Sequence, residues 1–326
     1  MEKVSMITAD LQSTMQKYPE QKSEIKVNTD FIKGIIPPIV TTVTKNEKID
    51  EKAFGNQIDF MIREGVDGIL LFGSNGEFYM FDEQEMESVV KMAVRHVDGR
   101  VPVYLGVGAI RTSRCKRLAQ MGVSNGVDGV SVLQPMFLKP TEEELKDHLT
   151  AIANCISTTP MLLYNNPGRT GYPMSQDLVE YLAHNIENIV GMKDSSGDMT
   201  QTTEFIRRNE DVNFKVMCGK DTLIYLGMCA GAVGAVCSTA NFVPALVCSI
   251  YDKYVQGDYC GAQKAQNTLN PIRLQMDKSS FPVATKDYAN ILGLNVGEPI
   301  LPSKVSPEPL MKGLRNCLVQ NNIIPE

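Results

Sequence analysis

From Phe31 onward, short apolar runs alternate with helix-length amphipathic segments almost to the end of the chain, and this alternation limits the fold more than any single residue does. Strand-like runs lie at 34–43, 68–72, 101–107, 129–133, 161–164, 189–193, 214–218 and 232–236. Between them the spacing predicts helices at 51–64, 83–96, 112–124, 142–156, 175–184, 200–208 and 221–230, with an eighth near 241–254. Strands that alternate with helices form βαβ units and a parallel sheet. Eight such units predict an α/β fold of the closed (β/α)8 TIM barrel type. The rival is an open doubly wound sheet, which needs a GxGxxG turn after its first strand; the nearest approach, Gly106-Val107-Gly108, lacks the third glycine.

Three further helical patterns, at 261–276, 282–292 and 307–321, follow the last barrel unit. The expected organisation is a polar N-terminal extension at 1–30 with an amphipathic helix at 11–18, a barrel at 31–256 and a C-terminal helical appendage at 257–326. At 326 residues the chain suits one barrel of about 250 residues plus such additions.

Composition narrows the function classes. Hydrophobic residues make up 43% and charged residues 21%, enough apolar material for a packed core. A net charge of -6 without strong blocks of either sign gives no footing for nucleic acid or a membrane surface. The first thirty residues lack the apolar core of a secretory signal, and no apolar run reaches spanning length, so a cytoplasmic protein is expected. The eight cysteines are scattered without CxxC pairs and read as free thiols in a reducing compartment. His96, His148 and His184 lie far apart without ligand spacing, so no metal is expected.

In a barrel of this kind the working residues occupy the C-terminal ends of the strands and the loops that follow. The sixth strand ends in Gly191-Met192-Lys193-Asp194, which puts a lysine where a buried strand opens into a loop. Desolvation there disfavours its charged form and frees the amine to attack a carbonyl as a Schiff-base nucleophile. The second strand ends in Gly73-Ser74-Asn75-Gly76-Glu77, a turn whose hydroxyl, amide and backbone N–H groups can hold a carboxylate. The fifth ends in Tyr164-Asn165-Asn166-Pro167-Gly168-Arg169-Thr170-Gly171, which brings a phenol and a guanidinium toward one mouth. Tyr164 and Lys193 fall on neighbouring strands, a geometry that suits a nucleophile beside a proton carrier.

Together these three motifs resemble the dihydrodipicolinate synthase and N-acetylneuraminate lyase family of pyruvate-dependent class I aldolases, over roughly residues 31–320. The resemblance implies that Lys193 forms the Schiff base, that Tyr164 moves protons and that Ser74 takes part beside it. It further implies that Ser74 and Asn75 hold the carboxylate of pyruvate and that Arg169 meets the far carboxylate of a dicarboxylic partner. Ser195, Gly219, Val236 and Phe137 complete the implied substrate-binding set. No organic cofactor is implied, the partners are a 2-oxo acid and an aldehyde, and the implied assembly is a homotetramer of two dimers.

The stretches Gly73-Ser74-Asn75-Gly76-Glu77-Phe78 and Gly191-Met192-Lys193-Asp194-Ser195 are closest to the 4-hydroxy-2-oxoglutarate aldolase branch, whereas Pro167-Gly168-Arg169-Thr170-Gly171 is similar to the synthases. Phe137, in Gln134-Pro135-Met136-Phe137, stands where the family commonly has a relay tyrosine, and it cannot pass a proton. The expected activity is therefore cleavage or formation of a 4-hydroxy-2-oxo acid, either 4-hydroxy-2-oxoglutarate or a 2-keto-3-deoxy sugar acid. Dihydrodipicolinate synthase is the alternative, and a non-catalytic barrel that binds a 2-oxo acid is the alternative from another class.

Overall fold

The computed structural model describes residues 27–325, so the expected helix at 11–18 lies outside the described residues. Its strands are β1 (Gly34–Ile35), β2 (Ile69–Leu71), β3 (Val103–Val107), β4 (Gly129–Leu133), β5 (Met161–Asn165), β6 (Ile189–Asp194), β7 (Lys215–Cys218) and β8 (Gly234–Ala235). All neighbouring strands are parallel and follow one another in chain order, and β1 pairs with β8. The remaining seam closes just beyond β1, where Pro38 bridges Leu70 and the Ile39 N–H donates to the Leu70 carbonyl at 3.0 Å. The sheet is thus a (β/α)8 barrel. Its first strand is shorter than the run 34–43 suggested, because Pro37 and Pro38 have no N–H to give to a ladder.

A helix follows each strand: α1 (Glu51–Arg63), α2 (Glu83–Val97), α3 (Thr112–Ser124), α4 (Glu142–Asn154), α5 (Gln176–Asn185), α6 (Met199–Arg207), α7 (Ile224–Cys229) and α8 (Pro244–Val255). Several start where the sequence supplies an acceptor for the orphan N–H groups of a first turn. Asp82 with Glu85 and Thr141 with Glu144 form reciprocal capping boxes on α2 and α4. Three more helices, α9 (Tyr259–Met276), α10 (Val283–Ile291) and α11 (Glu308–Gln320), complete the chain.

Two apolar clusters hold this arrangement. The larger fills the layer between strands and helices and runs on without a break into Leu269, Ile272, Tyr288, Leu314 and Leu318 of the last three helices. The smaller is the barrel interior, where Ile36, Leu70, Tyr104, Leu162, Val190, Met217 and Val236 meet. All eight cysteines are free; Cys115, Cys218, Cys237, Cys248 and Cys317 are buried, and Cys229 and Cys260 are exposed. Among the described residues no helix is long and apolar enough to cross a membrane.

Candidate active site

Whether Lys193 reaches the barrel mouth depends on the phase of β6. Side chains alternate along a strand, so with Val190 facing inward an unbroken β6 would turn Met192 and Asp194 inward and Lys193 toward the helices. A bulge changes this: Met161 pairs with Ile189 and Leu162 with Gly191, leaving Val190 as the extra residue. Beyond it Tyr164 pairs with Lys193, and Lys193 with Met217 of the interior cluster. The lysine therefore shares the inner face with the tyrosine, and Asp194 turns outward. There Asp194 accepts from Asn165 at 2.8 Å, Ser196 Oγ at 2.9 Å and Thr202 at 2.5 Å, tying β5, β6 and α6 together.

Lys193 and Tyr164 are 4% and 6% exposed, and the Lys193 Nζ stands 4.2 Å from the centre of the tyrosine ring. The phenol oxygen accepts from Asn166 Nδ2 at 2.8 Å. Burial alone would raise the Tyr164 pKa. The Lys193 ammonium and hydrogen bonds from Asn166, Ser74 and Ser195 outweigh it and hold the phenol below the ordinary tyrosine value.

These groups border a cavity of about 320 Å³ at the C-terminal end of the barrel. Ser74, Asn75, Tyr164, Arg169, Lys193, Ser195, Gly219 and Val236, all expected from the sequence, line it together. The N–H groups of Ser74 and Asn75 have no hydrogen-bond acceptor among the described residues, so the turn offers two unsatisfied backbone donors beside the Ser74 hydroxyl that serves Tyr164. The Asn75 side chain is committed elsewhere. Its carboxamide oxygen accepts from Thr285 and its nitrogen donates to Ser238, both at 2.8 Å. Gly219 donates its N–H to the Asp194 carbonyl at 2.7 Å, and a Cβ there would lie 2.0 Å from Ser195 Oγ, so only glycine lets β7 approach so closely.

Phe137 is not brought into this set. It is 88% exposed, has a left-handed φ of 78°, and does not line the cavity of its own chain. Conversely, the cavity wall includes residues that strand-end reasoning passed over: Asn166, Lys220, Asp221, Ser238, Arg273 and Phe281. Lys220 and Asp221 directly follow Gly219, so the rule that found Lys193 could have found them. Arg273 and Phe281 come from the C-terminal helical region, and nothing local in the sequence signals where that region docks. Arg169 lies over the Phe281 ring at 4.6 Å, and with Lys220 and Arg273 it makes the outer wall cationic. The one acid there, Asp221, accepts from the Thr239 N–H and hydroxyl, each at 2.7 Å.

The histidines are engaged away from the cavity: His96 with Asp59, His148 with Thr112 and His184 with Asp211. Among the described residues no group of three or more His, Cys, Asp or Glu is arranged to hold a metal.

Comparison with known proteins gives a consistent result. The profile of the Dihydrodipicolinate synthetase family matches residues 31–312. A 4-hydroxy-tetrahydrodipicolinate synthase of Methanoculleus marisnigri is 33% identical over 89% of this chain and 100% of its own length. A probable 2-dehydro-3-deoxy-D-pentonate aldolase of Escherichia coli (strain K12) is 36% identical over 74% of this chain and 80% of its own. Among solved structures, a prophage protein of the dihydrodipicolinic acid synthase family from E. coli K12, in complex with pyruvate, superposes with a TM-score of 0.86. That protein is 30% identical, with 90% of this chain and 99% of the other covered.

Proposed function

This chain belongs to the dihydrodipicolinate synthetase family, and from that premise we propose that it is a pyruvate-dependent lyase whose Lys193 forms a Schiff base with a 4-hydroxy-2-oxo acid and releases pyruvate and an aldehyde. The observation that carries this reading is the buried Lys193 amine over the Tyr164 ring in a cavity bordered by unpaired N–H donors.

The steps follow from the groups present. The amine adds to the C2 carbonyl and water leaves, giving a protonated imine. A base removes the proton of the C4 hydroxyl, the C3–C4 bond breaks, and its electron pair moves into the iminium to form an enamine as the aldehyde departs. Protonation at C3 and hydrolysis of the imine return pyruvate and free lysine. Tyr164 is the proton carrier, because a phenol held below its ordinary pKa passes a proton more readily near neutrality. In this reading the Ser74 hydroxyl hydrogen-bonds the phenol, and the Ser74 and Asn75 N–H groups receive the carboxylate. Asn75 binds through its backbone and not through its committed amide. Ser195 supports the tyrosine, Gly219 and Val236 shape the wall, and Arg169 with Lys220 reads a polar or anionic group on the aldehyde. No cofactor enters the scheme.

The substrate class we assign is a 4-hydroxy-2-oxo acid, 4-hydroxy-2-oxoglutarate or a 2-keto-3-deoxy sugar acid, supported by the relative named as a pentonate aldolase. Phe137, which has no hydroxyl to relay protons, also favours this over the synthase. A second reading keeps the imine and condenses pyruvate with aspartate semialdehyde; the Pro-Gly-Arg-Thr-Gly loop at 167–171 and the relatives named as synthases favour it. We further infer a homotetramer of two dimers, with Phe137 and Leu138, 88% and 70% exposed, covered by a second copy, and a cytoplasmic location, which free thiols support.

The test is intact mass after incubation with pyruvate and borohydride. The expected result is a reduced pyruvate adduct on the wild type and none on Lys193→Ala; an adduct on both would take Lys193 out of the mechanism. Pyruvate release from 4-hydroxy-2-oxoglutarate or 2-dehydro-3-deoxy-pentonate, compared with pyruvate consumption alongside aspartate semialdehyde, then separates the two readings.

A further inference from the structure

Residues 75 and 285 are far apart in sequence, yet their side chains meet behind the cavity. Phe281, just ahead of α10, lines the cavity. One turn into α10, Thr285 Oγ1 donates to Asn75 Oδ1 at 2.8 Å. A helical threonine commonly returns its hydroxyl to a carbonyl one turn behind. Thr285, fully buried, sends it to the turn after β2 instead. Because the Asn75 nitrogen is already given to Ser238 at 2.8 Å, the amide is held at both ends and its plane is fixed.

The next residue of α10 grips the same turn further along. Lys286 Nζ lies 2.5 Å from Glu77 Oε2 with both side chains inaccessible, and it also donates to the Glu298 carbonyl at 3.0 Å. The other Glu77 oxygen accepts the Ile300 N–H at 2.9 Å. Glu77 is held in the left-handed region, φ 53°, a conformation that a non-glycine residue keeps only where its surroundings enforce it. Two successive residues of one C-terminal helix thus grip the turn at two points directly after Ser74.

We propose that Thr285 is a positioning residue for the carboxylate of the 2-oxo acid: by fixing the Asn75 amide it sets the backbone at Ser74 and Asn75, whose hydroxyl and N–H groups border the cavity with Lys193. This rests on the Schiff-base reading above. Without the Thr285 hydroxyl, Asn75 Oδ1 becomes a buried acceptor with no donor, and the amide turns to find one, carrying the peptide with it.

The experiment measures borohydride trapping as a function of pyruvate concentration for the wild type and for Thr285→Val and Thr285→Ser. Valine keeps the volume and removes the hydroxyl; serine keeps the hydroxyl. The half-saturating pyruvate concentration should rise about tenfold in Thr285→Val while the limiting trapping rate falls less than about threefold, and Thr285→Ser should return the half-saturation to within about twofold of wild type. An unchanged half-saturation in a folded Thr285→Val, even with a lowered Tm, overturns the proposal, as does a serine variant no better than valine. If the valine variant does not fold, Thr285→Ala against Thr285→Ser makes the same comparison. A wild type that forms no adduct removes the Schiff-base reading and this inference with it; an adduct with normal half-saturation in the valine variant removes this inference alone.

Discussion

At the residue scale the central fact is an amine and a phenol sharing one buried wall. The amine acts on the phenol: the Lys193 ammonium draws the Tyr164 pKa down against the pull of burial. In the proposed mechanism the phenolate accepts the C4 hydroxyl proton, and it gains population as pH rises through that lowered value. Cleavage should therefore climb with pH and level off below about 10, the ordinary tyrosine value. Tyr164→Phe should lose this rise and about 10²–10⁴-fold in turnover, with the pyruvate adduct still trapped. A Tyr164→Phe profile that keeps the wild-type rise would assign the proton transfer to another group. The same scale shows why Asn75 could be placed from the sequence but its role could not: a glycine-flanked Ser-Asn turn announces donors, and only the fold reveals that Thr285 and Ser238 have claimed the amide.

At the scale of elements, the bulge in β6 decides which side chain faces the cavity. It depends on the close approach of Gly191, where a Cβ would lie 2.3 Å from the Lys215 carbonyl oxygen and 2.9 Å from a Leu162 methyl. Gly191→Ala should cost about 1–3 kcal/mol in urea unfolding through overpacking, and it should slow adduct formation because Lys193 lies two residues on. Wild-type stability in that variant would mean that the strands can part without penalty. Strand and helix identities were legible because the pattern repeats with a strand period and a helix period. Strand ends were less so: the prolines at 37 and 38 cut β1 short, and a bulge has no signature in an apolar run such as Ile189-Val190-Gly191-Met192. The lysine was placed correctly at a strand end, but what turns it inward is a pairing with β5 that no local pattern encodes.

At the scale of the whole molecule, the last three helices share one continuous core with the barrel and supply part of the cavity wall. The sequence revealed that they exist and not where they dock, since an amphipathic face does not name its partner. In the assembly we infer, the exposed Phe137, strained at φ 78°, and its neighbour Leu138 are the complementary case, a surface finished by another copy. Sedimentation at micromolar concentration should return a tetramer, and Phe137→Glu with Leu138→Glu should give smaller species; a wild-type monomer would remove the assembly we infer. The contact between Thr285 and Asn75 spans 210 positions, and it bears on how the protein is made. A nascent chain has its nucleophile long before the helix that steadies the carboxylate turn has left the ribosome. In the terms of the proposal, a firm hold on the carboxylate is acquired late in synthesis, and a chain cut short before α10 would carry the lysine without the contact that steadies that turn.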